Sequence, residues 1–543
     1  MEKEAYSLYS TDKANDLKEL LINCVSKQGE KPAFIYQNRK REHVKIAYNR
    51  FKDDVDAFGT YLHQKGIKNC NVAVFGENSY EWILTYFAVT CGGNVIVPID
   101  KDLPADEVKN LVEHSSCTVI IYSETYTDII DKLIADNLLR INMNDISKHI
   151  ESGRRALKNG ISDFIDFCVE GKRLASIVYT SGTMGLSKGV MLTHENLAAN
   201  TVATCQNVYI SNGTVLLLPL HHTFGLVAGV LCVLLHGHYV YINKSLKNIN
   251  QDLMIAKPEH LSLVPLFVEG FYKRIWENAE KQGKAKVLKH LIRFSNFTLL
   301  FGIDLRSVLF KSIVNAFGGN LKLIISGGSG IDEKYIQGFK NFGITVINGY
   351  GITECAPVVA TNRNKALKSG TVGFPLSCNR IRIDKPNENG NGEILVNGEN
   401  VMLGYYKNPE ATAEAFDGEW FKTGDLGYLD KDGFLYITGR KKNLIILDNG
   451  KNVYPEEIEG YLAAIKQIKE VVVYAKNKLI TAEIFPDTEI GNAEQIIREK
   501  IALLNKTLPM YKQVQSIIFR QIEFEKTTTQ KIKRHKVGVN NNV

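Results

Sequence analysis

The stretch Tyr179-Thr-Ser-Gly-Thr-Met-Gly-Leu-Ser-Lys-Gly189 decides how this chain is interpreted. Before it, the apolar and β-branched residues 174–178 predict a buried strand. After it, Thr193 can cap a helix that begins at His194. Glycines let backbone N–H groups converge on an anion, hydroxyls add donors, and Lys188 adds a positive charge. The stretch therefore predicts a loop that binds polyphosphate.

This loop is not an ordinary P-loop, because the spacing GxxxxGK[ST] is absent. Gly182 is followed by Gly185, and Lys188 is followed by Gly189. Taken alone, the stretch is also compatible with a surface loop that carries an incidental lysine. The rest of the chain has to decide between these interpretations.

Length and composition indicate a globular protein of several lobes. A chain of 543 residues exceeds the roughly 250–300 residues of a single core. The net charge of +7 is modest for this length and indicates no nucleic-acid partner by itself. Nine cysteines without CxxC spacing predict neither a zinc site nor a disulfide framework, which favours a reducing compartment.

The most apolar run, residues 224–235, is far shorter than the ~20 residues of a membrane span and predicts a buried helix. The N-terminus has no apolar core of an export signal. We therefore predict a cytoplasmic protein without a transmembrane segment.

Strand and helix patterns alternate through the first 360 residues and predict an α/β fold with parallel sheets. Helical patterns span, for example, Tyr48–Gln64 and Ala105–His114. Strands that end in glycines and hydroxyls, near residues 214–225, 321–330 and 345–354, are typical of a nucleotide crevice.

Other regions have a different texture. Residues 145–172 are polar and without a pattern, and predict a solvent-exposed connection. From Gly370, short strands and turns predict a small β-barrel or sandwich. The last 100 residues predict a separate, small α+β unit with a helix from Pro455.

Seven sequence blocks together resemble one family. They are, in order, residues 179–189, Pro219-Leu-His-His222, Ser326-Gly-Gly-Ser329, Tyr350-Gly-Ile-Thr-Glu354, Gly392-Glu-Ile-Leu395, Thr423-Gly-Asp425 and Gly439-Arg-Lys-Lys-Asn443. In kind and order they resemble the ANL superfamily of adenylate-forming enzymes. The chain is most similar to the medium- and long-chain fatty acyl-CoA ligases of that superfamily.

The resemblance implies a domain organisation. A large N-terminal domain, residues 1–440, would contain two α/β subdomains and the small β-barrel. A mobile α+β C-terminal domain, residues 443–543, would rotate about a hinge near 441–442, with Lys442 at the hinge position. For Lys441 itself we favour a solvated basic linker.

The resemblance also implies an ATP site with Mg²⁺. It assigns ATP binding to Thr180, Ser181, Gly182, Thr183, Gly185, Lys188, Gly328, Tyr350, Gly351, Thr353, Asp425 and Arg440. Tyr350 would stack on adenine and Asp425 would bind both ribose hydroxyls; by themselves they would be a core tyrosine and a loop cap. Glu354 would hold Mg²⁺, since this hard cation prefers oxygen ligands.

The resemblance assigns catalysis to Lys531, Thr183 and Glu354. Lys531 matches a C-terminal lysine that contacts carboxylate and phosphate during adenylation. Because Gln530 replaces the glycine that usually precedes it, Lys526 and Lys533 stay open as alternatives. Gly450 resembles the glycine that lines the pantetheine tunnel for CoA, and is equally a turn glycine.

The resemblance bears on the acid as well. The block at 219–225 lacks the aspartate with which amino-acid-activating relatives bind the α-amine. Gly351 stands where acetate-activating relatives have a tryptophan that blocks the acyl pocket. We therefore expect His222, Gly225 and Gly351 at an open acyl pocket, although close helix packing explains Gly225 equally well. A medium- or long-chain fatty acid is the expected substrate, with ATP and CoA.

Three alternatives stay open. They are a fatty acyl-AMP ligase that loads a carrier protein, an aryl-CoA ligase, and an inactive relative that binds nucleotide or acyl chains. The retention of Lys188, Glu354, Asp425, Arg440 and Lys531 counts against the last. We expect no nucleic-acid partner, and the basic tail could assist a transient contact with a membrane surface.

Overall fold

The computed structural model describes residues 7–38, 40–133, 138–180, 187–243, 245–447, 452–477, 479–487, 491–526 and 532–538. These residues form two compact units. The first contains the residues up to Thr180, Ser187–Arg380 and Val396–Glu419. The second contains Ile381–Leu395 and the described residues from Trp420 onward.

The largest sheet of the first unit has seven strands. In sheet order they are Gly404–Tyr405, Lys188–Thr193, Leu174–Thr180, Val95–Ile99, Asn71–Phe75, Cys117–Tyr122 and Leu139–Asn142. The last five are parallel, and the first two are joined to them by antiparallel pairing. Parallel neighbours need crossover connections, and the chain supplies them as helices.

The first unit has two further sheets, whose strands also position the site. One has the order His260–Leu263, Leu323–Ser326, Thr345–Gly351, Val358–Thr361 and Phe374–Pro375. Its first three strands are parallel and the rest are antiparallel. The other has the order His43–Ala47, Pro32–Gln37, Val240–Ile242 and Thr214–Leu216.

The helices of the first unit pack on these sheets. The longer ones are Leu17–Gln28, Tyr48–Gln64, Tyr80–Cys91, Ala105–His114, Ile146–Lys158, His194–Asn207, Ile249–Ala256, Pro265–Lys281, Ala285–Leu299 and Glu333–Asn341. The shorter ones are Thr127–Ile130, Thr223–Leu226, Cys232–Leu235, Arg306–Leu309, Lys311–Asn315 and Pro409–Ala415, with a π-helical turn at Val227–Leu231.

The second unit contains the region predicted as a barrel or sandwich and the C-terminal α+β region. In the former, Asn379–Asp384, Gly392–Gly398, Trp420–Leu429 and Leu435–Arg440 pair in that order as part of a five-stranded sheet. The C-terminal α+β region has a sheet of three strands, Ile468–Lys476, Leu479–Pro486 and Ser516–Phe519. It also has a pair of short strands, Ile445–Ile446 and Asn452–Val453, and two helices, Pro455–Ala463 and Ala493–Thr507. Its core is aliphatic, with Val453, Ile458 and Ile497 fully buried.

Most of the predicted elements are confirmed. The helix after the organising loop begins at His194, where Thr193 Oγ1 accepts a 3.0 Å hydrogen bond from Asn196 N. Residues 224–235 form the buried helical run. Among the described residues no helix is both long enough and apolar enough to cross a bilayer. All nine cysteines are free thiols.

The prediction of an irregular connection over residues 145–172 is wrong for its first half, whereas residues 159–172 contain no helix or strand. Ile146–Lys158 is a helix with a narrow buried face, which includes Ile150 and Gly153. A Cβ at Gly153 would lie 1.7 Å from Ala57 O, so this helix packs closely on Tyr48–Gln64. Close packing through a glycine needs few apolar side chains, which hid the helical period in a polar segment.

Candidate active site

The predicted phosphate loop closes a hairpin of two strands. Leu174–Thr180 pairs antiparallel with Lys188–Thr193, and Thr180 lies opposite Lys188. Thr180 Oγ1 donates to Lys188 O at 3.5 Å. Two of the predicted residues thus mark the base of the loop. The others, Ser181, Gly182, Thr183 and Gly185, lie outside the described residues.

Glu354, the predicted Mg²⁺ ligand, lies with Thr353 in a 3₁₀ turn, Thr353–Cys355, after the strand Thr345–Gly351. Its Oε1 accepts a 2.9 Å hydrogen bond from Tyr405 Oη. On the Tyr405 ring, Lys188 Nζ lies 4.7 Å from the centroid. No ion pair of Glu354 is found in the part of the chain that the structure describes. A neutral donor therefore holds this carboxylate and leaves its charge available to a cation.

Tyr405 is a site residue that sequence reasoning missed. Burial, and then the charge of Glu354, raises the pKa of Tyr405 above its ordinary value, so the phenol keeps its proton and stays a donor. It comes from the short edge strand Gly404–Tyr405, 51 residues away from Glu354. The only local signal is a glycine followed by two tyrosines.

Asp425 and Arg440, predicted near the ribose, lie opposite each other on the paired strands Trp420–Leu429 and Leu435–Arg440. Arg440 Nε lies 2.6 Å from Asp425 Oδ1. The aspartate side chain is buried, whereas that of the arginine is 44% exposed. Thr423 Oγ1 accepts a 3.0 Å hydrogen bond from Asp425 N and fixes the turn. The structure thus brings this predicted pair together.

The predicted hinge residue Lys442 lies in the 3₁₀ turn Lys441–Asn443. Burial and the neighbouring charge of Arg440 lower the pKa of Lys442. The Lys441 side chain is 60% exposed, in agreement with the prediction of a solvated linker residue, and its Nζ also lies 2.6 Å from Oε2 of buried Glu393. The hinge and the domain boundary at 440 stay predictions.

An apolar pocket lies in the first unit. Phe224, Ala228, Cys232 and His236 line it at intervals of four residues, through the π-helical turn. The lining is completed mainly by the strand ends at 326–328 and 349–351 and by Val208, Ile210, Ile325 and Val358. Gly328, Tyr350 and Gly351, predicted at the ATP site, therefore share a pocket with an apolar helix face. Gly328 has φ +89°, a conformation that favours glycine.

The three residues expected at the acyl pocket have different positions. Gly351 lines the pocket, but a Cβ there would lie 2.2 Å from Pro357 O, so backbone packing already requires glycine. A Cβ at Gly225 would lie 2.1 Å from Pro219 O, which supports the close-packing interpretation. Among the described residues, Gly225 and His222 do not line this pocket. His222 Nε2 instead lies 3.1 Å from Nε2 of His221.

The C-terminal assignments stay predictions, because Lys531 and Gly450 lie outside the described residues. Lys526, one alternative to Lys531, forms ion pairs with Glu470 and, at 3.0 Å, with Glu523. Burial lowers the pKa of Lys526, but these ion pairs outweigh it and raise the pKa overall. Lys526 thus has two acidic partners, and the choice among Lys526, Lys531 and Lys533 stays a prediction.

Comparison with known proteins gives one consistent family. The profile of the family described as AMP-binding enzyme matches residues 22–406. The chain is 32% identical to long-chain-fatty-acid–CoA ligase FadD15 of Mycobacterium bovis, over 75% of this chain and 71% of that one. It is 27% identical to long-chain-fatty-acid–CoA ligase 5 of Rattus norvegicus, over 89% and 77%.

A solved structure bears on the fold. It is the o-succinylbenzoate coenzyme A synthetase (MenE) of Bacillus subtilis, in complex with ATP and magnesium ion. The match has a TM-score of 0.73 at 21% identity and covers 95% of this chain and 98% of that one. The mixed α/β fold, with a large N-terminal and a smaller C-terminal domain, is therefore that of known adenylate-forming enzymes.

Proposed function

This chain belongs to the AMP-binding enzyme family, and on that premise we propose that it activates a medium- to long-chain fatty acid with ATP and transfers the acyl group to CoA. It is an acid–thiol ligase. A carboxylate oxygen attacks the α-phosphorus of ATP, and pyrophosphate leaves. The thiol of CoA then attacks the acyl carbon, and AMP leaves with the bonding electrons. AMP is a good leaving group, whereas the oxide of a free carboxylate is not.

The observation that carries the choice of acid is the pocket between the glycine-rich strand ends and the apolar helix face. The helical run that lines it extends about 18 Å from Phe224 to His236 at the rise of an α-helix. That is the length scale of a long alkyl chain and far exceeds acetate. Because Tyr350 lines the same pocket, an acyl chain along this helical run would place its carboxylate near the nucleotide.

The chain's own residues position and neutralise charge, which dominates catalysis of phosphoryl chemistry. Glu354 fits a magnesium ion because a neutral phenol holds its carboxylate and, among the described residues, no cation pairs with it. Bound Mg²⁺ supplies positive charge to the polyphosphate. Lys188 and the loop that it closes bind the phosphates, and Asp425 with Arg440 binds the ribose. Lys531 contacts the carboxylate and phosphate, and Gly450 lines the way for CoA.

The first experiment supplies the purified chain with ATP, Mg²⁺ and linear fatty acids from acetate to stearate, with and without CoA. We expect acyl-CoA and AMP only with CoA, and a maximum rate at a medium or long chain. Acyl-AMP that CoA cannot discharge would favour loading of a carrier protein. Absence of any adenylate would overturn the fatty-acid assignment.

A pocket variant tests the acyl site directly. In Ala228→Phe the larger side chain fills the pocket, so the optimum should move to shorter acids while activity on short acids persists. Ala413→Phe, on the exposed side of the short helix Pro409–Ala415, is the matched control and should keep the optimum. Equal chain-length profiles for both variants would contradict the assignment of this pocket.

The inactive-relative alternative is tested at Lys531. Lys531→Ala should abolish adenylation with ATP binding largely intact, whereas Lys533→Ala should keep most activity. If Lys533→Ala is the inactive variant, the C-terminal assignment moves by two residues. If neither matters, the chemistry does not use this lysine segment.

A further inference from the structure

One helix of the first unit has two apolar faces, and only one of them is used in folding. On Ala285–Leu299, the side chains of Leu288, Leu291 and Ile292 pack against the core of the sheet that contains Leu323–Ser326. A second row stays exposed: Val287, Phe294, Phe297 and Phe301 are 56%, 51%, 58% and 68% exposed.

The spacing of Val287, Phe294 and Phe297, at positions i, i+7 and i+10, keeps them on one helical face, and Phe301 follows in the turn after the helix. The chain after the helix extends it with Leu300, Ile303 and Val308, which are 80%, 53% and 73% exposed. The rings of Phe297 and Phe301 contact each other at 5.2 Å between centroids. An exposed apolar surface of this size marks an interaction site.

The same segment concentrates positive charge. Residues 284–311 contain four lysines, two arginines and one acid, a net charge of +5 compared with +7 for the whole chain. At 100° per residue, Lys286, Lys289 and Arg293 lie along one border of the exposed row. In the described part of the chain these three cations have no ion pair. The one acid, Asp304, is already paired with Arg306 at 2.6 Å.

We propose that this basic aromatic face, residues 284–311, docks on an anionic lipid bilayer. Aromatic and aliphatic side chains enter the interface while cations at the border bind the anionic headgroups. A second copy of the chain fits less well, because a symmetric contact would bring two sets of like charges together. The proposal stands apart from the proposed reaction, since binding needs neither ATP nor fatty acid.

The test is sedimentation of the full chain with vesicles of phosphatidylcholine, with and without phosphatidylglycerol, at low and high salt. The wild-type chain should pellet with the anionic vesicles, and salt should weaken binding. The variant K286Q/K289Q/R293Q should lower the partition coefficient by about 100-fold, since each cation near an anionic surface contributes about fivefold. Its matched control is K172Q/K431Q/K506Q, which removes three exposed lysines elsewhere and should bind like wild type.

A second variant, F294S/F297S/F301S, should also lose binding because the inserted row is removed. Its control, L503S/M510S/I522S, replaces side chains that are 60%, 85% and 71% exposed in the second unit. All four variants should keep acyl-CoA formation from octanoate in solution, so loss of vesicle binding is separable from loss of the ligase reaction.

Equal pelleting of each variant and its control would overturn the proposal, as would failure of the wild-type chain to bind anionic vesicles. A dimer in sedimentation velocity that F294S/F297S/F301S dissociates would also overturn it, and would assign the face to a second copy.

Discussion

Two carboxylates of the predicted nucleotide site are held in opposite ways. Glu354 accepts a hydrogen bond from the neutral phenol of Tyr405, whereas Asp425 contacts the guanidinium of Arg440. Within the residues that the structure describes, Asp425 has a cationic partner before any ligand arrives, and Glu354 has none. A compensated carboxylate suits neutral hydroxyl donors, and an uncompensated one suits a metal cation. The local partners therefore support different roles for two similar groups.

The largest expected effect comes from removing the uncompensated charge. Glu354→Gln preserves size and can still accept the hydrogen bond of Tyr405, but it offers Mg²⁺ no charge. We expect kcat for pyrophosphate release to fall by about 1000-fold, the upper range for loss of one transition-state contact. Glu333→Gln, at an exposed helix start, is the control. More than a tenth of wild-type activity in Glu354→Gln would break the comparison.

The compensated carboxylate should act on binding. In Asp425→Asn a neutral amide replaces the charged acceptor of the ribose hydroxyls. We therefore expect KM for ATP to rise about 30-fold, with a smaller change in kcat. Initial rates across ATP concentrations separate the two parameters. A fall in kcat that exceeds the rise in KM would show that Asp425 acts in the transition state, as Glu354 is expected to do.

A smaller effect is expected at the phenol that holds Glu354. Tyr405→Phe removes one hydrogen bond and keeps the ring beside Lys188, so the Mg²⁺ concentration for half-maximal rate should rise about fivefold. Tyr406→Phe is the matched control, since it removes the hydroxyl of the next tyrosine, which accepts a long, 3.5 Å hydrogen bond from Asn71. The same Mg²⁺ dependence in both variants would mean that Tyr405 does not orient Glu354.

The smallest effect concerns pH. Because the pKa of Tyr405 is raised above its ordinary value of 10.0, the phenol stays protonated from neutral pH to pH 10. The ratio of wild-type to Tyr405→Phe activity should therefore be constant over that range. A ratio that approaches one as pH 10 is reached would mean that the phenol ionises and that Glu354 loses its donor.

Local sequence patterns predicted much of the fold and less of the site. The helix Tyr48–Gln64 was predictable because its apolar period and its ends are local features. The contact of Tyr405 with Glu354 joins residues that are 51 positions apart, and no periodicity encodes such a contact. The helix Ile146–Lys158 was missed for a related reason, since its close approach depends on space beside Ala57.

Among the contacts between charged residues, one could be anticipated from the sequence and another could not. Asp425 and Arg440 face each other through strand register, which follows from pairing of adjacent strands and could be anticipated from two nearby motifs. The contact of Lys441 with Glu393, by contrast, depends on the fold, because Glu393 lies on a strand that is farther away in the sequence. A run of basic residues therefore does not show which of them also contacts an acidic side chain.

The contact of Gly351 with the Pro357 carbonyl restricts how this enzyme could evolve a shorter acyl specificity. A bulky residue at position 351 would clash with the backbone before it reached the substrate, since even its Cβ would lie 2.2 Å from that oxygen. A single replacement there should damage folding rather than narrow the substrate range. The residues around 357 would have to move first, so the order of mutations matters. Ala228 and Cys232, which already present side chains to the pocket, offer an adaptive route without that epistatic barrier.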